Sequence, residues 1–275
     1  MKSSPENPFG LKELAIGESY VIGPELCTYW KKEYLRRGNS ILASYSMASC
    51  YASLGNQRLA SLEEIKKINA ETDFRLTIGK RFMRCNYGLM KKTFNETLRQ
   101  LSNQAFLMVY GNLEAYLIDV VYEAFVNQGS ADPSQDAVNI MSRTKWVGKI
   151  DSICQRFSLD LGKRQFANSF RNIKMEFLGE SFSEPLPFLQ NIAEIRHLLV
   201  HSSGRIGDRL IQRYPEAGFT KDTVIAIPFE FPFDLHLFLT VFSDVFDKSF
   251  SDKFNWPRSI VQPEQLVEIC PCHKA

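Results

Sequence analysis

Apolar residues recur along most of this chain at three- and four-residue intervals, the spacing of helices that bury one face. Residues 26–36 (ELCTYWKKEYL) and 40–54 (SILASYSMASCYASL) read as two helices separated by Gly38. Ser61 to Glu64 (SLEE) has capping-box spacing ahead of a short helix ending near Asn69. Residues 74–90 are mixed and rich in Arg and Lys, and Gly79 and Gly88 argue against a helix throughout. A helical pattern then runs from Lys91 to Asn127, with a candidate break near Gly111. Asp132, Pro133 and Gln135 then offer an N-cap, a first-turn proline and a Gln three residues on, and helices follow over 134–157, 163–178 and 184–202. Only 223–231 (TVIAIPFEF) looks extended, its prolines making it a poor central strand. A last helix spans 233–250. The fold class expected is mainly α, an up-and-down helical bundle.

Composition changes this little. The chain has 275 residues, 44% hydrophobic and 23% charged, ordinary globular values that exclude disordered and fibrous classes. A net charge of +2 excludes a polybasic nucleic-acid coat but not a local basic site. The first residues, MKSSPENPFG, lack an apolar signal region, and no stretch reaches 18 uninterrupted apolar residues, so a cytoplasmic, non-membrane protein is expected. Six scattered cysteines without a C-x2-C pair point to a reducing compartment. Cys270, Cys272 and His273 stand together, either as free groups in a frayed tail or as soft-metal ligands; a structural zinc site needs four ligands, which favours the tail. Walker, G-x-S-x-G and H-E-x-x-H motifs are absent.

Two charged residues break the helical pattern. On a wheel of 104–127, Asn112, Asp119, Glu123 and Asn127 share the solvated stripe, while Glu114 lies about 200° from Asn112, among Tyr110, Leu113, Leu117 and Val121. On 184–201, Phe188, Leu189, Ile192, Ile195 and Leu199 form the apolar stripe, and Arg196 falls about 40° from Ile192, inside it. An inward acid and an inward guanidinium need partners, and each suits the other, as a structural ion pair or as part of a site. Glu194, His197 and His201 share another face of the same helix. A di-metal bundle would need Glu-x-x-His on two helices; only one copy occurs, so no metal is expected. Ser202-Ser203-Gly204 marks the helix terminus.

Arg196 and His201 enclose four residues, RHLLVH, and IRHLLVHSSGRIGDRLI resembles the R-x4–6-H signature region of the HEPN domain family. FLMVYGNLEAYLIDVVYEAF is similar to an earlier bundle helix of that family, with an acid at the place of Glu114, and DTVIAIPFEFPFDLHLFLTVF to its closing segment. The resemblance covers 90–255. It leaves 1–89 as a helical N-terminal extension of unknown role and 256–275 as a tail.

The resemblance implies a metal-independent RNA endonuclease without cofactor, forming a homodimer and serving as a toxin or phage-defence effector. An antitoxin or defence-system partner would accompany it. Arg196 and His201 would be catalytic, Glu114 and His197 supporting, and Ser202 and Ser203 would bind at the helix end. The products would be a 2′,3′-cyclic phosphate and a 5′-hydroxyl. His197 stands where many relatives carry Asn or Asp. Arg75, Lys80, Arg81, Arg84, Lys91, Lys92 and Arg99 form a run that would either track RNA phosphates or present a solvated face. Two alternatives stay open: a non-catalytic HEPN module binding RNA, nucleotide or a partner such as a nucleotidyltransferase antitoxin, and an unrelated helical interaction protein whose Arg196–Glu114 pair is structural.

Overall fold

A computed structural model of the chain describes residues 25–262, apart from 67–68, 79–80, 144, 162–165, 167, 172, 174 and 179, together with residue 266. Cys270, Cys272, His273 and Lys80 lie outside the described residues. The structure is a mainly α bundle, 71% helical. Its elements are β1 (Glu25–Cys27), α1 (Tyr29–Lys66), β2 (Asp73–Ile78), β3 (Arg81–Asn86), α2 (Tyr87–Asn127), α3 (Pro133–Met141), α4 (Trp146–Phe157), β4 (Met175–Phe177), β5 (Glu180–Phe182), α5 (Pro185–His201), α6 (Asp208–Arg213), α7 (Phe231–Phe254) and β6 (Ser259–Val261). The strands form three two-stranded antiparallel pairs, β1 with β6, β2 with β3 and β4 with β5.

The centre is α7. Phenylalanines occur nearly all round it, and Phe231, Phe238, Phe242, Phe246 and Phe250 are buried against rings from α2, α4 and the 166–188 segment. A helix with so wide an apolar face must be covered by several neighbours. α2 runs parallel to it, touching at Phe106–Phe231 and, through the Tyr116 hydroxyl, at the Ser243 carbonyl. α1 runs antiparallel to both. Its Tyr34 carbonyl accepts from Asn112 Nδ2 at 2.9 Å, Tyr45 meets Ser102, and Gly55 faces Phe94. By length and composition α2 is also the one described helix able to cross a membrane, but 56% of that apolar window is buried within the fold, as in a core helix.

The remaining polar side of α7 is covered by the start of α1. Lys31, fully buried, donates from Nζ to the Thr240 carbonyl at 2.8 Å and to Ser243 Oγ at 2.6 Å, and pairs with Asp244 at 2.7 Å. Thr28 N donates to Asp247 at 3.1 Å. Cys27, Tyr34 and Leu35 thereby join the same apolar core as the later helices.

Several expectations are corrected. α1 is continuous through Gly38, and the glycine is there because the His236 ring of α7 occupies the space where a Cβ would sit. Ser61 caps nothing: it lies inside α1, its hydroxyl donating to the Gln57 carbonyl. The segment 74–90 divides into the β2–β3 pair and the first turn of α2, which starts at Tyr87 because Asn86 accepts from Leu89 N at 2.8 Å. Gly111 makes no break. The helix expected over 134–157 is split into α3 and α4, although Asp132 does cap α3 through Gln135 N. The second half of 163–178 holds β4 rather than helix. Of the extended 223–231, Val224 alone bridges, to Arg205, and Phe231 already begins α7. Asn112 belongs to no solvated stripe: α1 buries it.

Candidate functional site

α5 is set by its apolar stripe. Phe188, Leu189, Ile192 and Ile195 are all buried, anchoring the helix on the core and leaving its next face toward α2 and α4. The helix stops at Ser202, whose N–H donates to the Leu198 carbonyl at 2.9 Å, and the chain turns through Ser203 and Gly204 at positive φ. Glycine is required at 204. At φ +73° a Cβ would stand 3.1–3.3 Å from Leu199, Val224 and Ile225.

Between α2, α4, α5 and α6 lies a cleft of about 640 Å³. Glu114, Arg196, His197 and Ser202 all line it; His201 and Ser203 are not among its lining residues. Arg196 Nη2 lies 3.5 Å from Glu114 Oε2, and Lys149 Nζ of α4 lies 3.5 Å from Glu114 Oε1, so one carboxylate holds two cations. At 3.5 Å these are ion contacts at the long limit of a hydrogen bond. Glu114 is not sealed in the core. Its side chain is 26% exposed and that of Arg196 37%, because the sector read as buried opens onto the cleft.

Lys149 is itself buried. Its charge is held by Glu114 and by the Trp146 ring, whose centroid lies 4.8 Å from Nζ. Trp146 Nε1 donates to the Tyr110 hydroxyl at 2.8 Å, and its backbone N–H to Gln190 Oε1 at 2.9 Å, fixing α4 on α2 and α5. Burial, and then the Glu114 charge, push the Tyr110 phenol far above its ordinary value, so Tyr110 stays a neutral hydrogen-bonding group.

On the opposite wall Arg213 of α6 pairs with Glu194 at 3.0 Å and donates from Nη2 to Asn191 Oδ1 at 2.9 Å. The Tyr214 hydroxyl also donates to Asn191. Burial, and then Glu194, raise that phenol to about 12. Glu194 is thus directed to Arg213 rather than grouped with the histidines. Among the described residues no three His, Cys, Asp or Glu side chains form a group able to hold a metal ion.

His197 and His201 are exposed and mutually stacked, ring centroids 4.3 Å apart and planes tilted by 40°. His201 therefore adjoins the cleft through His197 instead of facing it with Arg196. Of the basic run at 75–99, Arg84 and Arg75 are register partners in the β2–β3 pair, and Arg99 pairs with Glu96; among its described side chains, Arg84, Lys91, Lys92 and Arg99 do not line the cleft.

Reading the sequence missed most of the cleft's charge. Arg143, Lys149, Arg205, Arg209 and Arg213 join Arg196 around it, against Glu114 and Glu194 among the described residues. One signal was visible: Arg205, Arg209 and Arg213 recur at four-residue intervals directly after the RHLLVH segment. Compared with known protein families, curated proteins and solved structures, the chain matches none. The site therefore stands on its own geometry.

Proposed function

We propose that this protein is a metal-independent RNA endonuclease working at the α5 cleft. The observation that carries the reading is the pairing of a cleft with six cationic and two acidic side chains with two stacked imidazoles at its rim. Cations in a concave site attract and orient a phosphate, and an imidazole is the side chain that exchanges a proton near neutrality.

Arg196, held by Glu114, binds the scissile phosphate and offsets the charge that builds on it. His201 takes the proton of the adjacent 2′-hydroxyl as its oxygen attacks phosphorus. The bond from phosphorus to the 5′-oxygen breaks, and that oxygen receives a proton from a protonated imidazole of the His197–His201 pair. The products are a 2′,3′-cyclic phosphate and a 5′-hydroxyl. A toxin or phage-defence effector is the biological role that this activity and the family resemblance suggest.

A second reading is favoured by the position of His201 outside the cleft lining: the cleft would bind RNA without cutting it. Incubating purified protein with RNA in EDTA separates the two. The nuclease reading expects cyclic-phosphate ends, loss of cleavage with retained binding in His201→Ala, loss of both in Arg196→Ala, and resistance of RNA carrying a 2′-deoxy sugar at the cut. Metal-dependent cutting, or cutting of the deoxy substrate, would overturn the mechanism. Binding with no cleavage would leave the second reading.

A further inference from the structure

The charges in the cleft are unequally compensated. Glu114 serves Arg196 and Lys149, and Glu194 serves Arg213. Arg143, Arg205 and Arg209 also line the cleft, and among the described residues no carboxylate pairs with any of them. They come from three separate places: the α3–α4 junction, the turn after α5, and α6. The stem of Arg143 rests near Gly148, and the backbone at Arg205 is held by its bridge to Val224. All three are solvent-exposed and border one concavity, so a polyanion entering it meets cationic groups that no described carboxylate neutralises.

The aromatic groups in the same cleft do not offer a stacking platform. Tyr110 and Trp146 are 2% and 1% exposed, and their polar tips are bonded to each other. Neither of these two rings offers an open face to a base, and the exposed His197 imidazole is a single small ring at the rim, in contrast to the usual single-strand binders, which combine a basic groove with several exposed aromatics. A cavity of about 640 Å³ is of small-molecule size and too small for a duplex.

We infer that Arg143, Arg205 and Arg209 form a phosphate subsite beside Arg196, holding the backbone of a single-stranded polynucleotide on either side of the phosphate at Arg196, and that the cleft reads phosphates rather than bases. This deepens the RNA reading of the cleft and rests on it. Each arginine presents a planar fork suited to a phosphate, and none is paired with a carboxylate among the described residues.

The test is fluorescence anisotropy with labelled 2′-O-methyl oligouridylate and oligoadenylate, which the proposed chemistry cannot cleave. The two strands should bind alike. Arg143→Ala/Arg205→Ala/Arg209→Ala should weaken binding roughly a hundredfold at ~0.1 M salt and reduce the slope of log affinity against log salt by roughly 2, at about 0.7 per phosphate contact on a single strand. Its melting temperature should stay near wild type, because no ion pair is removed. Unchanged affinity and slope would overturn the subsite. So would a strong preference for one base, or tighter binding of ATP than of the strand. Since the strand is uncleavable, failure of the nuclease reading leaves this result standing, while a cleaving enzyme whose triple variant binds normally rejects the subsite alone.

Discussion

His236 lies in α7 against the Tyr34 ring and within reach of the Lys31 charge, and among the described residues neither ring nitrogen has a hydrogen-bond partner. Burial, reinforced by the Lys31 charge, lowers its pKa to about 4. An imidazole that stays neutral in the fold but protonates when unfolded costs stability as pH falls. The loss begins near the unfolded value, about 6.5, and is complete near pH 4, amounting to about 3 kcal/mol. Asp234 works against it. Burial, and then Glu230, raise that carboxyl to about 6, so its contribution improves as pH falls from about 6 toward the ordinary carboxylate range. Urea unfolding of wild type and His236→Leu from pH 7 to 4 should show the wild type losing about 3 kcal/mol more than the variant. Parallel curves would mean that the imidazole charges inside the fold. Glu114 and Arg196 show what is legible at this scale. A charge inside an apolar sector stands out from spacing alone, and the wheel correctly brought the two together. Lys149 sits on the buried face of a helix too, but Trp146 and Glu114, which make that place tolerable, are distant in sequence or outwardly ordinary.

Among the elements, α1 depends most on its neighbour. A mid-helix glycine costs up to about 1 kcal/mol relative to alanine, and for that reason Gly38 reads as a break. In the fold a Cβ at 38 would stand 2.1 Å from His236 Cε1, so the glycine is a packing requirement inside a continuous helix. Gly38→Ala should therefore lower the melting temperature, an overpacking cost of about 1–3 kcal/mol exceeding the propensity gain. Gly38→Ala/His236→Ala should recover much of it, because the methyl then fills vacated space. A higher melting temperature for the single variant would show that the ring moves aside. Ser61–Glu64 has the letters of a cap but lies inside α1, which runs on to Lys66; Asn86 caps α2, yet it stands in a segment too mixed to read as a helix start.

For the whole molecule, assembly is the open question that the site raises. His201 is exposed at the end of α5, reaches the cleft through His197, and points away from Arg196. A two-fold dimer joined through the α5 face that bears Glu194, His197 and His201 would set one subunit's His201 beside the other's cleft. Light scattering at micromolar concentration should then give twice the 31.6 kDa chain mass, and His201→Ala mixed with Arg196→Ala should regain part of the cleavage lost in each. A monomer that cleaves RNA would place the whole reaction within one chain. Periodicity alone determined the helical class, the apolar stripe of α5, the last helix and the Glu114–Arg196 pair, because each follows from 3.6 residues per turn within a single segment. Only the tertiary structure decided that α1 is unbroken, that Asn112 is buried, and that Arg143, Lys149, Arg205, Arg209 and Arg213 share a cleft with Arg196. Those outcomes depend on which helix faces cover one another, and no local spacing encodes the convergence of side chains from segments up to about a hundred residues apart.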